Sequence, residues 1–412
     1  MSEAKRLLLE PHDLTFVEDV PYIYHCSHYN LFHDQTVDDV LGDTAGQQVR
    51  VRAAHAAFRQ LLRAITQGAS TPMERLSIAM GAFAAMGHGR VDLDVTAEGG
   101  SARTGHAHYG FCWAEKYGSR VSRTLPADAV AAGFVAAATE VAYELPAGAM
   151  QAVEETCVAR REPECTFKVT RAATPVPLPP TVDRQAMEPF LGPSEGGMDE
   201  AWIGATADTL QEFVAAMEGD ERGLMEGFGV FITRHLTNYY LETAYAAARQ
   251  APESALPIVE SLLREAAHVC VFHTFGGILL SPEWESVAGR LSGEPEDIVR
   301  GCVAIARGLG FGRWAIRELG PDRLVLSTTS NYEAPYYAAR FGKSDRPRCY
   351  FFQGAALAMM VLAHRVRWDG SAELTQSFYD DLFRGQGLGF RCEPTTCQTM
   401  GHDRTEVVVR RT

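Results

Sequence analysis

One pattern of residues occurs twice in this chain, and that repeat restricts the possible folds more than any single motif does. Residues 86–90 read Met-Gly-His-Gly-Arg and residues 309–313 read Leu-Gly-Phe-Gly-Arg, each at the same distance after a proline. Further on, Trp-Ala-Glu-Lys-Tyr-Gly at 113–118 corresponds to Tyr-Ala-Ala-Arg-Phe-Gly at 337–342. Ordered matches at a nearly constant spacing indicate a repeated unit. The sequence therefore predicts a tandem duplication of one domain.

The length of the chain and one proline-rich segment predict where the two domains divide. A chain of 412 residues is long enough for two or three domains, each with its own core. Residues 173–198 contain Pro-Val-Pro-Leu-Pro-Pro and, later, Gly-Pro-Ser-Glu-Gly-Gly, a composition that favours an extended spacer. We therefore predict a first domain at 1–172, a linker at 173–198 and a second domain at 199–412.

Composition and charge argue against several classes of protein. No apolar run reaches the roughly 18 residues of a membrane span. The N-terminal segment lacks the apolar core of a signal peptide, so we expect a cytoplasmic protein with no membrane partner. A net charge of −14 without a cluster of Lys and Arg argues against direct binding of nucleic acid. The nine scattered cysteines are expected to be thiols or metal ligands rather than disulfides.

Hydrophobic periodicity predicts helices followed by a small sheet in both halves. In the first half, helices are predicted at 50–66, 72–85 and 126–142, and strands at 91–96, 103–110 and within 148–170. In the second half, helices are predicted at 204–219, 226–248, 254–272, 295–308 and 350–365, and strands within 313–329 and near 388–398 and 405–410. This order predicts an α+β fold made of two tandem copies, in which N-terminal helices precede a small antiparallel sheet closed by a cysteine-bearing C-terminal hairpin.

Two segments resemble a known family. Residues 331–342 read Asn-Tyr-Glu-Ala-Pro-Tyr-Tyr-Ala-Ala-Arg-Phe-Gly, with Cys349 seven residues further on. Residues 154–167 read Glu-Glu-Thr-Cys-Val-Ala-Arg-Arg-Glu-Pro-Glu-Cys-Thr-Phe, in which a glutamate precedes two cysteines eight positions apart. Both segments resemble the 4-vinyl reductase domain family. The resemblance implies an α+β fold related to vesicle-tethering subunits and to the sensor domains of aromatic-responsive transcription regulators, where zinc closes an apolar pocket.

The resemblance implies a structural zinc site in the first half. Two thiolates on adjoining strands and a nearby carboxylate can converge on one tetrahedral ion. The family's ligands correspond here to Glu154, Cys157 and Cys165, and Asp128 stands where the family has a cysteine. The alternative is a pair of ordinary buried thiols, because free cysteine often behaves as a small apolar residue.

The second half retains fewer of these implied ligands. Cys349 and Cys397 match the family's pattern, whereas Pro394 and Thr405 occupy the positions of the glutamate and the last cysteine. We expect the second zinc site to be lost unless a neighbouring side chain takes part. The neighbours with suitable ligand atoms are Cys392, Glu393 and His402.

The histidines offer alternative metal ligands. His25 and His28 lie close together in the sequence, and His55 matches His268 of the second half within Arg-Ala-Ala-His and Glu-Ala-Ala-His. His106 and His108 are predicted to share one face of a strand, because side chains two positions apart point to the same side. Both groups are candidates for a transition metal or haem iron. The alternative is that these rings form ordinary hydrogen bonds in the core or at the surface.

Aromatic residues near the repeated blocks are candidates for a ligand pocket. Such pockets are mostly apolar, with a few polar groups. In the first half the candidates are Phe111, Trp113 and Tyr117, together with His106 and His108. In the second half they are Tyr337 and Phe341, with Phe351 and Phe352 nearby. The alternative is that these rings pack in the core.

Three functions follow from these patterns. The first is a cytoplasmic sensor or binding protein for a small aromatic or heteroaromatic ligand, with structural zinc in the first half. Its partners would be the ligand, a separate signalling protein and further copies in a homo-oligomer. The second is a metal- or haem-dependent enzyme or accessory protein that acts on a tetrapyrrole or an aromatic metabolite. The third is an interaction scaffold.

Overall fold

The computed structural model describes residues 6–368, 373–385 and 389–412. The first five residues of the predicted first domain, and residue 388 where a strand is predicted to begin, lie outside the described part.

The first half and the segment after it contain these elements in chain order: β1 (Arg6–Leu9), β2 (Leu14–Val17), β3 (Val20–Cys26), α1 (Ser27–Leu41), α2 (Asp43–Ile65), α3 (Pro72–Ala85), β4 (Asp92–Thr96), β5 (Gly99–Thr104), α4 (His108–Tyr117), α5 (Ala129–Ala142), β6 (Met150–Thr156), β7 (Cys165–Arg171) and α6 (Arg184–Met187).

The second half continues with these elements: α7 (Glu200–Ala216), β8 (Met225–Gly227), β9 (Val230–Leu236), α8 (Thr237–Gln250), α9 (Leu256–Cys270), α10 (Gly276–Leu280), α11 (Pro282–Ala288), α12 (Pro295–Gly308), β10 (Trp314–Gly320), β11 (Arg323–Thr328), α13 (Glu333–Phe341), α14 (Tyr350–Arg365), α15 (Gln376–Asp380), β12 (Phe390–Thr396) and β13 (Thr405–Arg411).

Each half carries a four-stranded antiparallel sheet with the same arrangement of strands. The order is β4-β5-β7-β6 in the first half and β10-β11-β13-β12 in the second. A helix packs on the last hairpin of each sheet, α5 against β6 and α14 against β12. The α+β fold is confirmed, whereas the origin of both halves from one duplicated domain stays a prediction.

The repeated Gly-x-Gly-Arg motif has the same structural cause in both halves. Gly89 and Gly312 both adopt a φ of +104°, which favours glycine. A β-carbon at either position would lie 2.1 Å from a backbone carbonyl oxygen, that of His106 or that of Ser330. Only glycine allows the chain to pass so close to the segment after each hairpin.

A third sheet joins the two halves. Its order is β1-β2-β3-β9-β8, and β3 pairs antiparallel with β9 from Tyr22 opposite Leu236 to Cys26 opposite Ile232. The sequence patterns gave no prediction for β2, β3 and α1, although all three are largely buried. The halves therefore share backbone hydrogen bonds and one continuous core.

The predicted helix at 226–248 is wrong in its first part. The structure has the hairpin β8–β9 at residues 225–236, and α8 begins only at Thr237. Phe228 and Gly229 have positive φ angles of 55° and 71°, as in a tight two-residue hairpin turn. The β-branched residues that follow favour a strand, so the turn overrides the helical spacing of the apolar residues.

The linker at 173–198 is only partly an extended spacer. Its proline-rich part, residues 174–183, has no regular structure. Nevertheless Val182, near the end of that part, and Met187, on α6, are buried against the core. The side chain of Asn238 accepts a hydrogen bond of 2.8 Å from the backbone amide of Val182.

Within the described residues, no helix combines the length and apolar character needed to cross a membrane.

A buried ion-pair network holds α1 against α2. Arg50 lies 2.9 Å from Asp34 and 2.7 Å from Asp38, and all three side chains are almost inaccessible to solvent. Tyr239 of α8 donates a hydrogen bond of 2.6 Å to Asp34, so the network also reaches the second half.

Replacement of Arg50 with methionine is expected to destabilise the protein by about 3–5 kcal/mol, because it leaves the buried carboxylate of Asp34 without its cation and leaves Asp38 with only its longer contact to Arg123. Urea unfolding at pH 7.5 measures the effect. The control is Arg171→Met, which removes an exposed pair with Glu98 and should cost less than about 1 kcal/mol. Similar small losses in both variants would contradict the prediction.

Candidate functional site

The closing hairpin of the first half brings two cysteine thiols together. Cys157 follows β6, a single 3-10 turn spans Val158–Arg160, and Cys165 begins β7. Arg161 reverses the chain with a φ of 65°. The amides of Ala127 and Val158 each donate a hydrogen bond of 3.4 Å, to the sulfurs of Cys157 and Cys165 respectively. Backbone amides therefore orient both sulfurs, as outer-shell donors do around metal-bound thiolates.

Two carboxylates complete a buried group around these sulfurs. Asp128 precedes α5, and its oxygens accept a hydrogen bond from the amide of Gly110 at 2.9 Å. Glu154, on β6, accepts one from the amide of Asp128 at 2.7 Å. Ligand atoms of Asp128, Glu154, Cys157 and Cys165 all lie within 4.8 Å of one another, and all four residues are buried. We call this group the quartet.

The geometry of the quartet fits a tetrahedral metal ion. Zinc bonds of 2.0–2.3 Å imply distances between ligand atoms of about 3.3–3.8 Å. Oδ2 of Asp128 lies 3.3 Å from Sγ of Cys165 and 3.7 Å from Sγ of Cys157. Oε1 of Glu154 is buried without a hydrogen-bond partner among the described residues, as expected for an atom that binds an ion. Two thiolates and two carboxylates form a donor set that zinc accepts.

The electrostatics of the quartet also favour a cation. Burial raises the pKa of Asp128 and raises that of Glu154 well above its ordinary value. The hydrogen bond from Cys165 lowers the pKa of Cys157, and the same contact together with burial raises the pKa of Cys165. Without an ion, the group must retain protons to limit its negative charge. A divalent cation would displace those protons and stabilise the fold.

The corresponding place in the second half lacks two of the four ligands. Cys349 precedes α14 as Asp128 precedes α5, and its sulfur lies 3.6 Å from that of Cys397. Thr405 replaces the second hairpin cysteine and accepts a hydrogen bond of 3.1 Å from the amide of Gln398.

The predicted substitute ligands of the second half have other contacts. His402 accepts a hydrogen bond from the Cys397 amide at 3.0 Å, and Glu393 pairs with Arg391. Cys392 lies near the start of β12 and lines a cleft. Among the described residues, the structure therefore brings two thiols together here and no third ligand.

The alternative metal ligands His25, His28 and His55 lie in different surroundings. His25 stacks on Tyr29 with ring centroids 3.7 Å apart, and His28 stacks on His273 at 4.2 Å. His55 lies in α2, with Nε2 3.0 Å from the carboxylate of Glu140. In the described part of the chain these three rings do not form a group of ligand atoms comparable to the quartet.

The prediction that His106 and His108 share a strand face is wrong. Strand β5 ends at Thr104, whose hydroxyl accepts a hydrogen bond of 3.1 Å from the amide of His106 and so forms a turn. His108 begins α4, is buried, and has Nε2 3.0 Å from Nδ2 of Asn30. His106 remains half-buried outside the helix.

Other buried imidazoles lie around His108 where the halves meet. His88 of the first half and His235 of the second have ring centroids 4.8 Å apart, and Tyr109 lies 2.9 Å from Nε2 of His235. Neither ring nitrogen of His88 has a hydrogen-bond partner within 3.5 Å among the described residues. In the sequence, His88 stands out only as part of the repeated Gly-x-Gly-Arg motif, and that motif does not predict that its side chain is buried.

The predicted pocket aromatics lie in two separate groups. Trp113 and Tyr117 pack on each other with centroids 4.7 Å apart, and Phe111 of the same helix packs on Phe231. Tyr337 and Phe341 both pack on Tyr245, at 5.0 and 5.7 Å. Phe341 also borders an open groove with Arg249 and Arg340. The structure does not gather these aromatic residues around one shared cavity in its described part.

A cleft of about 430 Å³ lies beside the quartet, between α2, α5, β6 and the linker. We call it the first cleft. Its apolar surface comes from residues of all four elements: Val51, Ala129, Ala132, Ala136, Met150, Ala152, Val153, Val176 and Leu178. Its polar groups come mainly from α2 and β6: Thr44, Gln47, Gln48, Arg52, His55, Gln151 and Glu154. This size and composition are typical of sites for small molecules.

Sequence reasoning missed the first cleft, apart from one signal. The segments ending at His55 and His268 match in the sequence, and both histidines line clefts. His55 lines the first cleft, and His268 lines a second cleft of about 490 Å³. That second cleft lies between α9, α14 and β12. The other lining residues could not be predicted, because they come from segments more than a hundred positions apart in the sequence.

Comparison with known proteins gives a distant structural similarity. No protein-family model matches the chain, and no curated protein matches it. Solved structures that resemble it include the crystal structure of the phenol-responsive sensory domain of the transcription activator PoxR with phenol. The similarity has a TM-score of 0.32 at 13% sequence identity, and covers 38% of this chain and 80% of that chain. Membership of the 4-vinyl reductase family stays a prediction.

Proposed function

We propose that this protein binds a small aromatic molecule and that a structural zinc ion closes its first half. The quartet is the observation that carries the proposal, because four buried ligand atoms within 4.8 Å of one another suit one ion. All four positions of a tetrahedral ion are then filled by protein, which makes the site structural rather than catalytic.

The first cleft is the proposed ligand site. Its volume lies within the range of about 300–1,000 Å³ that small-molecule pockets have. The alanines of α5 give the cleft an apolar floor without large side chains, while glutamine and arginine side chains of α2 supply polar groups. This site replaces the aromatic groups on α4 and α13 as the binding region.

The cleft and the metal centre share strand β6, and this gives the proposed sensor its physical basis. Glu154 belongs both to the quartet and to the lining of the cleft. The same strand supplies Met150 and Ala152 to the cleft and leads directly into Cys157. An ion that fixes the end of β6 therefore also fixes one wall of the ligand site, and a ligand there would in turn stabilise the closing hairpin.

Native mass spectrometry of the purified chain is expected to show one zinc ion per chain. The holoprotein should bind the neutral fluorescent probe N-phenyl-1-naphthylamine, and Val51→Trp, which fills the cleft, should weaken that binding at least about 10-fold. Removal of zinc with a chelator should also weaken it, because the β6 wall loses its anchor.

Other outcomes of the same measurements would contradict the proposal. Iron or a haem-sized mass in place of zinc would favour a metal-dependent enzyme. An interaction scaffold would be favoured if the chain holds no metal and if the wild type and Val51→Trp bind the probe equally. Circular dichroism of Val51→Trp establishes that any loss of binding occurs in a folded protein.

A further inference from the structure

The same helical positions line the clefts of both halves, with different charges. In α2 the lining residues are Gln47, Gln48, Val51, Arg52 and His55. In α9 they are Glu260, Ser261, Arg264, Glu265 and His268, at identical spacing. In both helices these positions fall on one face, since residues three or four apart are neighbours on the helix surface.

Close contact between helices explains why the two clefts correspond. A β-carbon on Gly133 of α5 would lie 2.7 Å from the backbone oxygen of Val51. A β-carbon on Gly354 of α14 would lie 2.1 Å from the backbone oxygen of Arg264. Each glycine allows the two helices to cross at the same point, which leaves the neighbouring helical face open as a cleft wall.

The polar groups of the first cleft include one cation without an anionic partner. The Nε of Arg52 donates a hydrogen bond of 3.2 Å to the backbone oxygen of Gln48, and no carboxylate pairs with its guanidinium in the described part of the chain. Glu154, the acid that lines the cleft, belongs to the quartet, and Glu140, which contacts His55 of the cleft, also pairs with Arg59. The neighbouring groups on the same wall, Gln47 and Gln48, are neutral.

The position equivalent to Arg52 carries the opposite charge in the second half. It is occupied by Glu265, and the second cleft also contains Glu260, which pairs with Arg348 at 3.1 Å. The two clefts therefore carry opposite charges at this matched position, and the second cleft also has Arg264 where the first has Val51.

We propose that the first cleft binds an aromatic anion, with the ring against the alanines of α5 and the anionic group at Arg52. This rests on the proposed function, since it names the ligand class of that site. The guanidinium presents a planar set of donors that suits carboxylate and sulfonate oxygens, and the glutamine amides can donate to the same group.

Two probes with one aromatic frame test the proposal. 8-Anilinonaphthalene-1-sulfonate carries an anionic group that N-phenyl-1-naphthylamine lacks. In fluorescence titrations of the zinc-loaded full chain, Arg52→Gln should weaken binding of the sulfonate about 10- to 100-fold and change binding of the neutral probe less than about twofold. Arg52→Glu, which introduces the charge found in the second half, should weaken sulfonate binding further.

A matched control separates a local contact from a general charge effect. Arg63 lies on the same helix, is exposed and lies outside the first cleft. Arg63→Gln removes the same charge from the chain and should leave the affinities for both probes unchanged. Zinc content and circular dichroism identify any variant that fails to fold.

The remaining outcomes distinguish this inference from the proposed function. If both probes bind the first cleft and Arg52→Gln changes neither affinity, the ligand class is wrong while the ligand site stands. If Arg52→Gln weakens both probes equally, the arginine has only a structural role and the inference fails. If neither probe responds to Val51→Trp, the cleft is not the ligand site, and the proposed function fails with it.

Discussion

Replacement of Cys157 or Cys165 with serine is expected to release the zinc ion and loosen the closing hairpin of the first half. Serine lacks the thiolate that zinc binds, and the loss of one ligand should weaken zinc by more than the 10- to 100-fold known for outer-shell changes. At zinc concentrations well above the dissociation constant, a 100-fold loss of affinity lowers the free energy of unfolding by about 2.7 kcal/mol. Atomic absorption and urea unfolding measure the two effects.

The second half offers a matched control for this experiment. Cys397 occupies the place of Cys157 on the other closing hairpin, is equally buried, and has one further thiol beside it. Cys397→Ser should therefore leave one zinc ion per chain, whatever packing it disturbs. Equal zinc contents in all three variants would show that the quartet does not hold the ion.

The proximity of three quartet residues could be predicted because it depends on local sequence. A glutamate and two cysteines on one hairpin remain close whatever the rest of the chain does, so the spacing of residues 154–165 is sufficient to bring these three side chains together. Asp128 required the family resemblance, since it reaches the hairpin from the start of a helix. The helices at 72–85, 295–308 and 350–365 were also predicted, because their apolar spacing is regular and proline marks the start of two of them.

The remaining features depend on contacts between distant segments. Strand β3 is buried along its whole length because it pairs with β9, more than two hundred residues away, and no periodicity in either strand reveals the partner. The burial of His88 and His108 follows from this pairing, which places the two halves face to face. The first cleft combines α2, α5 and β6 with the linker, so its shape depends on how four elements pack.

The buried histidines are expected to make the protein unstable in acid. Burial lowers the pKa of His33 and of His108 to about 3, and lowers the pKa values of His25 and His235 well below 6.5. Below pH 6.5 the unfolded chain binds protons at these residues and the folded protein does not. The stability from each group is therefore present above pH 6.5 and is lost as the pH falls towards the folded pKa, by up to about 1.4 kcal/mol per pH unit.

Buried carboxylates oppose this effect only in part. Burial raises the pKa of Asp34 to about 6 and that of Glu333 to about 8, so these groups add stability as the pH falls. Burial also lowers the pKa values of further histidines, including His268 and His273, so the histidines outnumber the opposing groups. We expect the free energy of unfolding to fall by about 3–5 kcal/mol between pH 6.5 and pH 5.

The contribution of one ring can be isolated with a pair of variants at a single hydrogen bond. Nε2 of His33 lies 2.8 Å from the hydroxyl of Thr243. The charged group that faces it from another element is Arg50 of α2, and Asp34 lies beside it on α1. His33→Gln removes the titrating ring, whereas Thr243→Val removes only its partner. Between pH 7 and pH 5, His33→Gln should lose about 2 kcal/mol less stability than the wild type, while Thr243→Val should follow the wild type. Release of the proposed zinc ion in acid would affect all three proteins alike. Parallel curves of stability against pH for His33→Gln and the wild type would therefore mean that the His33 ring already carries its proton in the folded protein.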